Sequence, residues 1–151
     1  MANVQGMCSS FKQELLTGHH NFGVSPVRAG TTVDTFKAAL FLTTASRGVA
    51  DTVYNTTGEL AGTGNYTQGG KVVTVVALAL DGTTAHTQID ASIVWTALTS
   101  SGNFDCLVFY NSTQADKQIS VHTFADTSMG GGDLTITMPT NNGTTGQIRI
   151  A

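Results

Sequence analysis

Charged residues are scarce in this sequence. Lys, Arg, Asp and Glu together make up 11% of its 151 residues, whereas soluble proteins average about 25%. Seven basic residues against ten acidic ones give a net charge of −3, so the chain lacks the basic surface that binds nucleic-acid phosphates. Because 40% of the residues are hydrophobic and few are charged, intrinsic disorder is disfavoured as well. We expect a folded protein without a nucleic-acid partner.

Long apolar runs and cysteines are also few. The longest strongly apolar run, residues 72–80, contains Thr74 and falls far short of the roughly 20 residues that span a bilayer. We therefore expect no transmembrane helix and no membrane partner. The two cysteines, Cys8 and Cys106, do not have the spacing of a zinc site. They are predicted to be separate, reduced thiols that pack as small hydrophobic side chains.

Threonine and glycine are abundant instead, with 25 and 17 residues. From residue 33 onward, apolar and polar residues alternate, which is typical of strands with one buried face. Phe36, Ala38, Leu40 and Leu42 illustrate the pattern, because they would share one face of a single strand. Thr residues then occupy outward faces, and Gly residues occupy turns.

A second strand is predicted over residues 72–80, which are apolar on both faces and therefore favour a central position in a sheet. Asp81 and Gly82 follow it and favour a tight hairpin to an antiparallel partner over residues 85–89. Trp95 is predicted to lie in the core. Turn-forming clusters separate the further predicted strands, which cover residues 93–98, 104–110, 118–124, 134–138 and 147–150.

About eight short strands indicate an all-β protein, either an antiparallel sandwich, a jelly roll or a barrel. We prefer a two-sheet, jelly-roll-like sandwich. Residues 10–16 carry the only helix signal, since Ser10 and Gln13 have capping-box spacing and Gly18 favours termination. The prediction is an N-terminal arm with a short helix over residues 1–30 and a β-sandwich domain over residues 31–151.

Residues 44–70 form one long segment without clear periodicity. Loops of this length are uncommon and often functional, so the segment is a candidate interaction surface. In the alternative interpretation, the segment folds back over a sheet edge and buries Tyr54 and Leu60 as packing residues.

Motifs of enzymes are missing from the sequence. It has no nucleophile elbow, no phosphate-binding loop and no metalloprotease motif. Its only glutamates, Glu14 and Glu59, are predicted on the arm and the long segment, and nothing places them at the separation that a glycosidase needs. Adjacent His19 and His20 would point apart on an extended chain, which disfavours a shared metal. We predict no enzyme, no cofactor, and no catalytic or metal-binding residues.

Five segments carry a resemblance to a known group of proteins: residues 8–22 (CSSFKQELLTGHHNF), 34–40 (DTFKAAL), 58–70 (GELAGTGNYTQGG), 108–117 (VFYNSTQADK) and 148–151 (IRIA). They resemble a family of small virion structural proteins of tailed bacteriophages. The resemblance implies a capsid cement or decoration protein that binds and stabilises the shell of major capsid protein. A head or tail fibre component with a host-binding β-sandwich is the alternative.

The resemblance also implies a location in the virion, with the major capsid protein and further copies of the chain, as a dimer or trimer, as partners. We expect either the helical arm or residues 44–70 to contact the shell, and residues 31–151 to fold without the arm. The candidate interface residues are the apolar and aromatic side chains of these two segments: Phe11, Leu15, Leu16, Phe22, Tyr54, Leu60 and Tyr66.

Overall fold

The structure is a computed structural model that describes residues 2–23 and 33–151. Within these residues, the helix α1 spans Ser9–Leu16, and ten strands are present. The strands are β1 (Gly6–Met7), β2 (Phe36–Leu42), β3 (Lys71–Val73), β4 (Val75–Asp81), β5 (Thr84–Ile89), β6 (Ser92–Thr99), β7 (Phe104–Asn111), β8 (Lys117–Thr127), β9 (Gly130–Thr137) and β10 (Ile148–Ile150).

The strands form three antiparallel sheets. A five-stranded sheet has the order β1-β8-β7-β2-β3, a three-stranded sheet has the order β10-β5-β4, and β6 pairs with β9. The predicted all-β, antiparallel sandwich with a short N-terminal helix is confirmed. Two strands were not predicted. One is β1, which is only two residues long and pairs with β8. The other arises because the apolar run at residues 72–80 is divided between β3 and β4.

The main core lies between the five-stranded sheet and the two smaller ones. Phe36 and Leu40 on β2, Ile89 on β5 and Ile93 on β6 belong to one buried cluster. Trp95 is 5% exposed and lies in the same cluster, as predicted. The alternation of apolar residues along β2 therefore positions one face of the large sheet against the smaller sheets.

The opposite face of the five-stranded sheet is buried too. Ala39, Phe41, Val108 and Tyr110 form a second cluster there, and the segment between β2 and β3 covers it. The expectation that only one face of β2 is buried is therefore wrong, because the part of residues 44–70 that carries Ala45 and Tyr54 packs on this second face. The interpretation in which this segment packs back onto the sheet holds for Leu60, which is fully buried, whereas Tyr54 is half-buried. We call residues 44–70 the cover.

Residues 72–80 do not form the central strand that their apolar character predicts. The chain leaves β3 at Thr74, whose carbonyl accepts a hydrogen bond from the Asp90 amide at 2.7 Å, and continues as β4 in a different sheet. Both strands lie at the edge of their sheets. Val72 and Leu80 are exposed as a result. The hairpin prediction is confirmed, since β4 and β5 pair across Gly82, which has a φ of 60°.

The helix α1 packs onto the sandwich. Cys8, Phe11 and Phe22 belong to the main core, so the expectation that residues 31–151 fold without the arm does not fit this packing. The predicted capping box is also wrong, because α1 begins at Ser9 with Cys8 as its N-cap and without a side-chain cap. Gly18 ends the helix with a φ of 73°. The predicted arm boundary at residue 30 lies outside the described residues.

Candidate interaction surface

The structure separates the seven predicted interface residues into two groups. Phe11, Phe22, Leu60 and Tyr66 are 0–6% exposed and form part of the main core. These four side chains stabilise the chain itself, so the assignment of Phe11, Leu60 and Tyr66 to an interface is corrected. Phe22, although buried, also lines an apolar depression next to α1. Leu15, Leu16 and Tyr54 retain accessible surface.

Tyr54 is positioned by the cover over the five-stranded sheet. Its ring stacks on that of Tyr110, with centroids 4.1 Å apart, and its hydroxyl donates to a carboxylate oxygen of Glu59. Leu15 and Leu16, in contrast, lie at the C-terminal end of α1. Leu15 is half-buried against the main core, whereas Leu16 is 91% exposed. Of the predicted residues, these two leucines lie on the surface that remains open.

The open surface consists of two adjoining depressions between α1 and the three-stranded sheet. The outer depression, of about 300 Å³, lies between α1 and β10, and the inner one, of about 70 Å³, reaches to β4 and β5. Both are lined by Leu15, Ile148 and Ile150. We call them together the α1–β10 groove; its other apolar lining residues are Met7, Leu16, Phe22, Leu78 and Ala85.

Local sequence explains why these side chains converge. Ile148 and Ile150 are two residues apart on β10 and therefore point to the same face of the sheet. Ile148 is buried at 5% exposure, whereas Ile150 is 62% exposed. Leu78 on β4 is 57% exposed. Apolar side chains therefore continue from the core, at Ile148, to the exposed surface, at Ile150 and Leu78.

The sequence reasoning missed Leu78 and Ile150 as exposed apolar residues, and Ile148 as a residue that lines the groove. The signal for Ile148 and Ile150 was present in the alternating Ile-Arg-Ile segment at the C-terminal end of the sequence. The sequence does not show which element this short strand faces, because its pairing partner, β5, lies about sixty residues earlier in the chain.

Two cations border the outer depression. Lys12 on α1 and Arg149 on β10 both line it, and its remaining lining residues are uncharged. Arg149 donates hydrogen bonds to the carbonyl oxygens of Gly143 and Thr144. Because the chain has only seven basic residues, two of them at one apolar depression give it a positive rim on an otherwise acidic protein.

A buried polar network fastens α1 to the sandwich behind this groove. Lys117 Nζ donates to Glu14 Oε1 at 2.6 Å, and His20 Nε2 lies 2.9 Å from Glu14 Oε2. On the other side of the imidazole, Asn111 Nδ2 lies 3.0 Å from His20 Nδ1. Asn111 also donates to Asp34 at 2.7 Å. The helix therefore has a fixed position relative to the β7–β8 hairpin.

The electrostatics of this network assign its protons. Burial favours a raised pKa for Glu14, but hydrogen bonds from Lys117 and His20 outweigh burial and hold its pKa below the ordinary value. Burial lowers the pKa of His20, although Glu14 opposes that shift. His20 is therefore neutral at pH 7, with its proton on Nε2 donated to Glu14 and its Nδ1 accepting from Asn111.

A second buried carboxylate organises the cover over the five-stranded sheet. Glu59 is 4% exposed and accepts hydrogen bonds from the hydroxyls of Tyr54 and Tyr66 and from the Gly69 amide. Burial and the nearby Glu59 raise the pKa of both phenols. Glu59, which the sequence reasoning considered only for glycoside hydrolysis, is thus the centre of a structural network.

Gly70 allows the cover to approach the sheet closely. Its φ is 65°, and a Cβ atom at this position would lie 1.9 Å from the carbonyl oxygen of Ala38 on β2. No other residue type fits here without displacing the backbone. The Gly69-Gly70 pair, interpreted from the sequence as turn residues, therefore also has a packing role.

Apart from His19, the remaining candidates for chemistry are buried within the fold. Cys8 and Cys106 are free thiols, as predicted, and burial raises their pKa to about 11 and about 12. His19 is exposed and His20 is buried, so the two rings point apart as expected. Among the described residues, no group of three or more His, Cys, Asp or Glu side chains is arranged to hold a metal ion.

The described part of the chain contains no helix with the length and apolar character needed to cross a membrane. Comparisons of the sequence and structure with family models, with curated proteins and with solved structures find no match in any of the three.

Proposed function

We propose that this protein is a structural component of a bacteriophage virion, a cement or decoration protein that binds the shell of major capsid protein through the α1–β10 groove. The observation that carries the proposal is the open apolar surface that runs from Leu15 and Leu16 to Ile150 and Leu78. The resemblance of the five sequence segments to small virion proteins supports the same function.

The binding free energy that the groove can supply suits a protein that binds to a shell in many copies. Covering Leu16, Leu78 and Ile150 with a partner stabilises a complex by about 1 to 2 kcal/mol for each side chain. Such an interface is modest by itself. On a capsid, however, the same site repeats over the lattice, and copies that also contact one another bind with a much higher effective affinity. A function of this kind uses no catalytic residue.

The proposal is tested by measuring the copy number in purified particles. A phage that lacks its own copy of the gene is complemented with the natural chain, with Leu16→Lys or with Val53→Lys, and the particles are quantified by mass spectrometry. Val53 is the matched control, because it is also an exposed apolar residue, at 45%, but lies in the cover, away from the groove.

We expect the natural chain and Val53→Lys to be present at a copy number comparable with that of the major capsid protein. The copy number of Leu16→Lys should be at least about tenfold lower. Circular dichroism checks that both variants are folded. A copy number of a few per particle contradicts the cement function and favours a fibre, and absence from particles contradicts a virion protein. Equal incorporation of the two variants contradicts the assignment of the groove.

A further inference from the structure

The outer edge of β10 is open next to the groove. Within the described residues, β10 pairs with β5 on one side, through Ile148 to Thr87 and Ile150 to Ala85, and has no strand on its other side. The outer depression begins at this edge, with α1 as its opposite wall. A free strand edge facing a helix across an apolar depression is a geometry that accepts an extended peptide as an additional strand.

The charges at this edge favour an acidic segment. Lys12 borders the depression from α1 and Arg149 from β10, while the other lining residues are neutral. Both side chains are exposed. Carboxylates of a bound segment would meet Lys12 at the rim on α1 and Arg149 along the edge of β10, and lysines or arginines of a bound segment would be repelled.

We infer that the α1–β10 groove binds an extended partner segment in which apolar and acidic side chains alternate, and that this segment adds as a strand to the free edge of β10. The inference rests on the proposed function, because it names the chemistry of the shell segment that the protein recognises. Apolar side chains of the segment pack against Leu15, Leu16 and Ile150, and its carboxylates face Arg149.

The alternation follows from the geometry of β10. Ile148 and Ile150 share one face of this strand, and Arg149 points to the opposite face. An added strand has the same period, so residues that enter the groove alternate with residues that reach the side of Arg149. Lys12, on α1, is placed to meet a carboxylate at the rim of the groove.

Pairing of this edge with β10 of a second copy is disfavoured in the symmetric register centred on Arg149. Antiparallel pairing of β10 with β10 of another copy about a two-fold axis at Arg149 would bring the two Arg149 residues directly opposite each other. Like charges at opposed positions of neighbouring strands are destabilising. The positive edge therefore favours a partner of different sequence.

The inference is tested with the full chain and short synthetic peptides whose termini are blocked. The probe alternates Val and Glu, the charge control replaces each Glu with Lys, and the backbone control replaces the central Val with Pro, which cannot donate to β10. Binding is followed by NMR titration of the backbone amides. Two variants of the chain, Lys12→Gln and Ile150→Ser, are compared with Lys37→Gln and Val72→Ser, which change a cation and an exposed apolar residue outside the groove.

We expect the Val-Glu peptide to shift the amides of α1 and β10 and to bind at least about tenfold more tightly than the Val-Lys peptide. The Pro peptide and the Ile150→Ser chain lose binding, and Lys12→Gln weakens it, whereas the two control variants bind normally. Equal affinity for the Glu and Lys peptides, full binding of the Pro peptide, or no binding of the Val-Glu peptide overturns the inference.

Three further outcomes would overturn either this inference or the proposed function. Dimerisation of the free chain in sedimentation experiments that Ile150→Ser abolishes would assign the groove to a second copy. Abundant chain in purified particles, together with a groove that ignores the acidic peptide, would leave the virion function standing and remove only the inferred partner chemistry. Peptide binding by a chain that is absent from particles would support the inferred partner chemistry and remove the virion function.

Discussion

The five-stranded and three-stranded sheets differ in how they are covered. The large sheet is buried on both faces, by the smaller sheets and α1 on one side and by residues 44–70 on the other. The small sheet β10-β5-β4 contributes Ile89 and Ile148 to the core, yet Leu78, Leu80 and Ile150 on its outer strands are 57–71% exposed.

This difference shows where the chain completes its own fold and where it has surface left for a partner. A long segment with a buried carboxylate at its centre covers the large sheet. At the small sheet, exposed apolar side chains lie beside strand edges that no described residue pairs with, a combination that marks interaction sites in folded proteins. Substitutions in the two regions should therefore have different consequences: loss of stability in the first and loss of binding in the second.

The largest expected effect is on the covered face of the large sheet. Phe41 is fully buried there, with the Arg47 guanidinium carbon 4.4 Å from its ring centroid. Phe41→Ala should lower the free energy of unfolding by about 3 to 5 kcal/mol, because it leaves a cavity under the cover. Urea denaturation measures the change. The control Val72→Ala should cost less than about 0.5 kcal/mol, and equal losses for both variants would contradict the comparison.

The second effect concerns the carboxylate at the centre of the cover. Glu59→Gln replaces one carboxylate oxygen with an amide group that donates. If the amide group stands at Oε2, the Tyr54 hydroxyl loses its acceptor, and if it stands at Oε1, the Tyr66 hydroxyl and the Gly69 amide lose theirs. We expect a loss of about 2 to 3 kcal/mol, with faster amide hydrogen exchange over residues 44–70.

The matched control for Glu59 is Asp126→Asn, since Asp126 is an exposed carboxylate that accepts from Asn103. It should leave both the stability and the exchange of residues 44–70 unchanged. Faster exchange in β10 instead of the cover would show that Glu59 supports the small sheet.

Local sequence patterns were sufficient to predict the strands in which apolar and polar residues alternate, and also the hairpin at Gly82. They were insufficient for residues 72–80, because a run that is apolar on both faces describes one central strand as well as two edge strands that face different sheets. Phe22 and Leu60 look like surface candidates in the sequence because their burial depends on elements far along the chain. Leu16 is exposed, and its place in an interface stays a prediction. Its neighbours on β10 could not be inferred, since no local pattern places β10 beside α1.

The third effect is a dependence of stability on pH. Burial lowers the pKa of His122 from 6.5 to about 4, and the pKa of His20 is lowered too. The unfolded chain therefore takes up protons at these positions before the folded chain does, and stability falls as the pH decreases from 6.5 toward 4. The lowered pKa of Glu14 acts in the same direction below its ordinary value of 4.5.

We expect a loss on the order of 2 kcal/mol between pH 7 and pH 4, measured by urea denaturation at each pH. His122→Gln should reduce this pH dependence, whereas His19→Gln, which changes an exposed ring, should retain it. Stability that rises on acidification would contradict the assignment of neutral histidines.

The smallest effect on stability is expected at the open edge. Leu80 on β4 is 71% exposed, so Leu80→Lys should change the free energy of unfolding by less than about 0.5 kcal/mol. A lysine on an edge strand also discourages pairing with other strands, so the variant should aggregate less at high concentration, as measured by light scattering. A large loss of stability here would show that the small sheet is not open.

Hydrogen exchange of the protein in assembled particles tests the central claim most directly. The amides of α1 and β10 should exchange much more slowly in the particle-bound chain than in the free chain. Those of residues 44–70 should exchange at similar rates in both states. Protection of residues 44–70 with unchanged exchange in α1 and β10 would contradict the account, because it would place the contact on the covered side of the molecule.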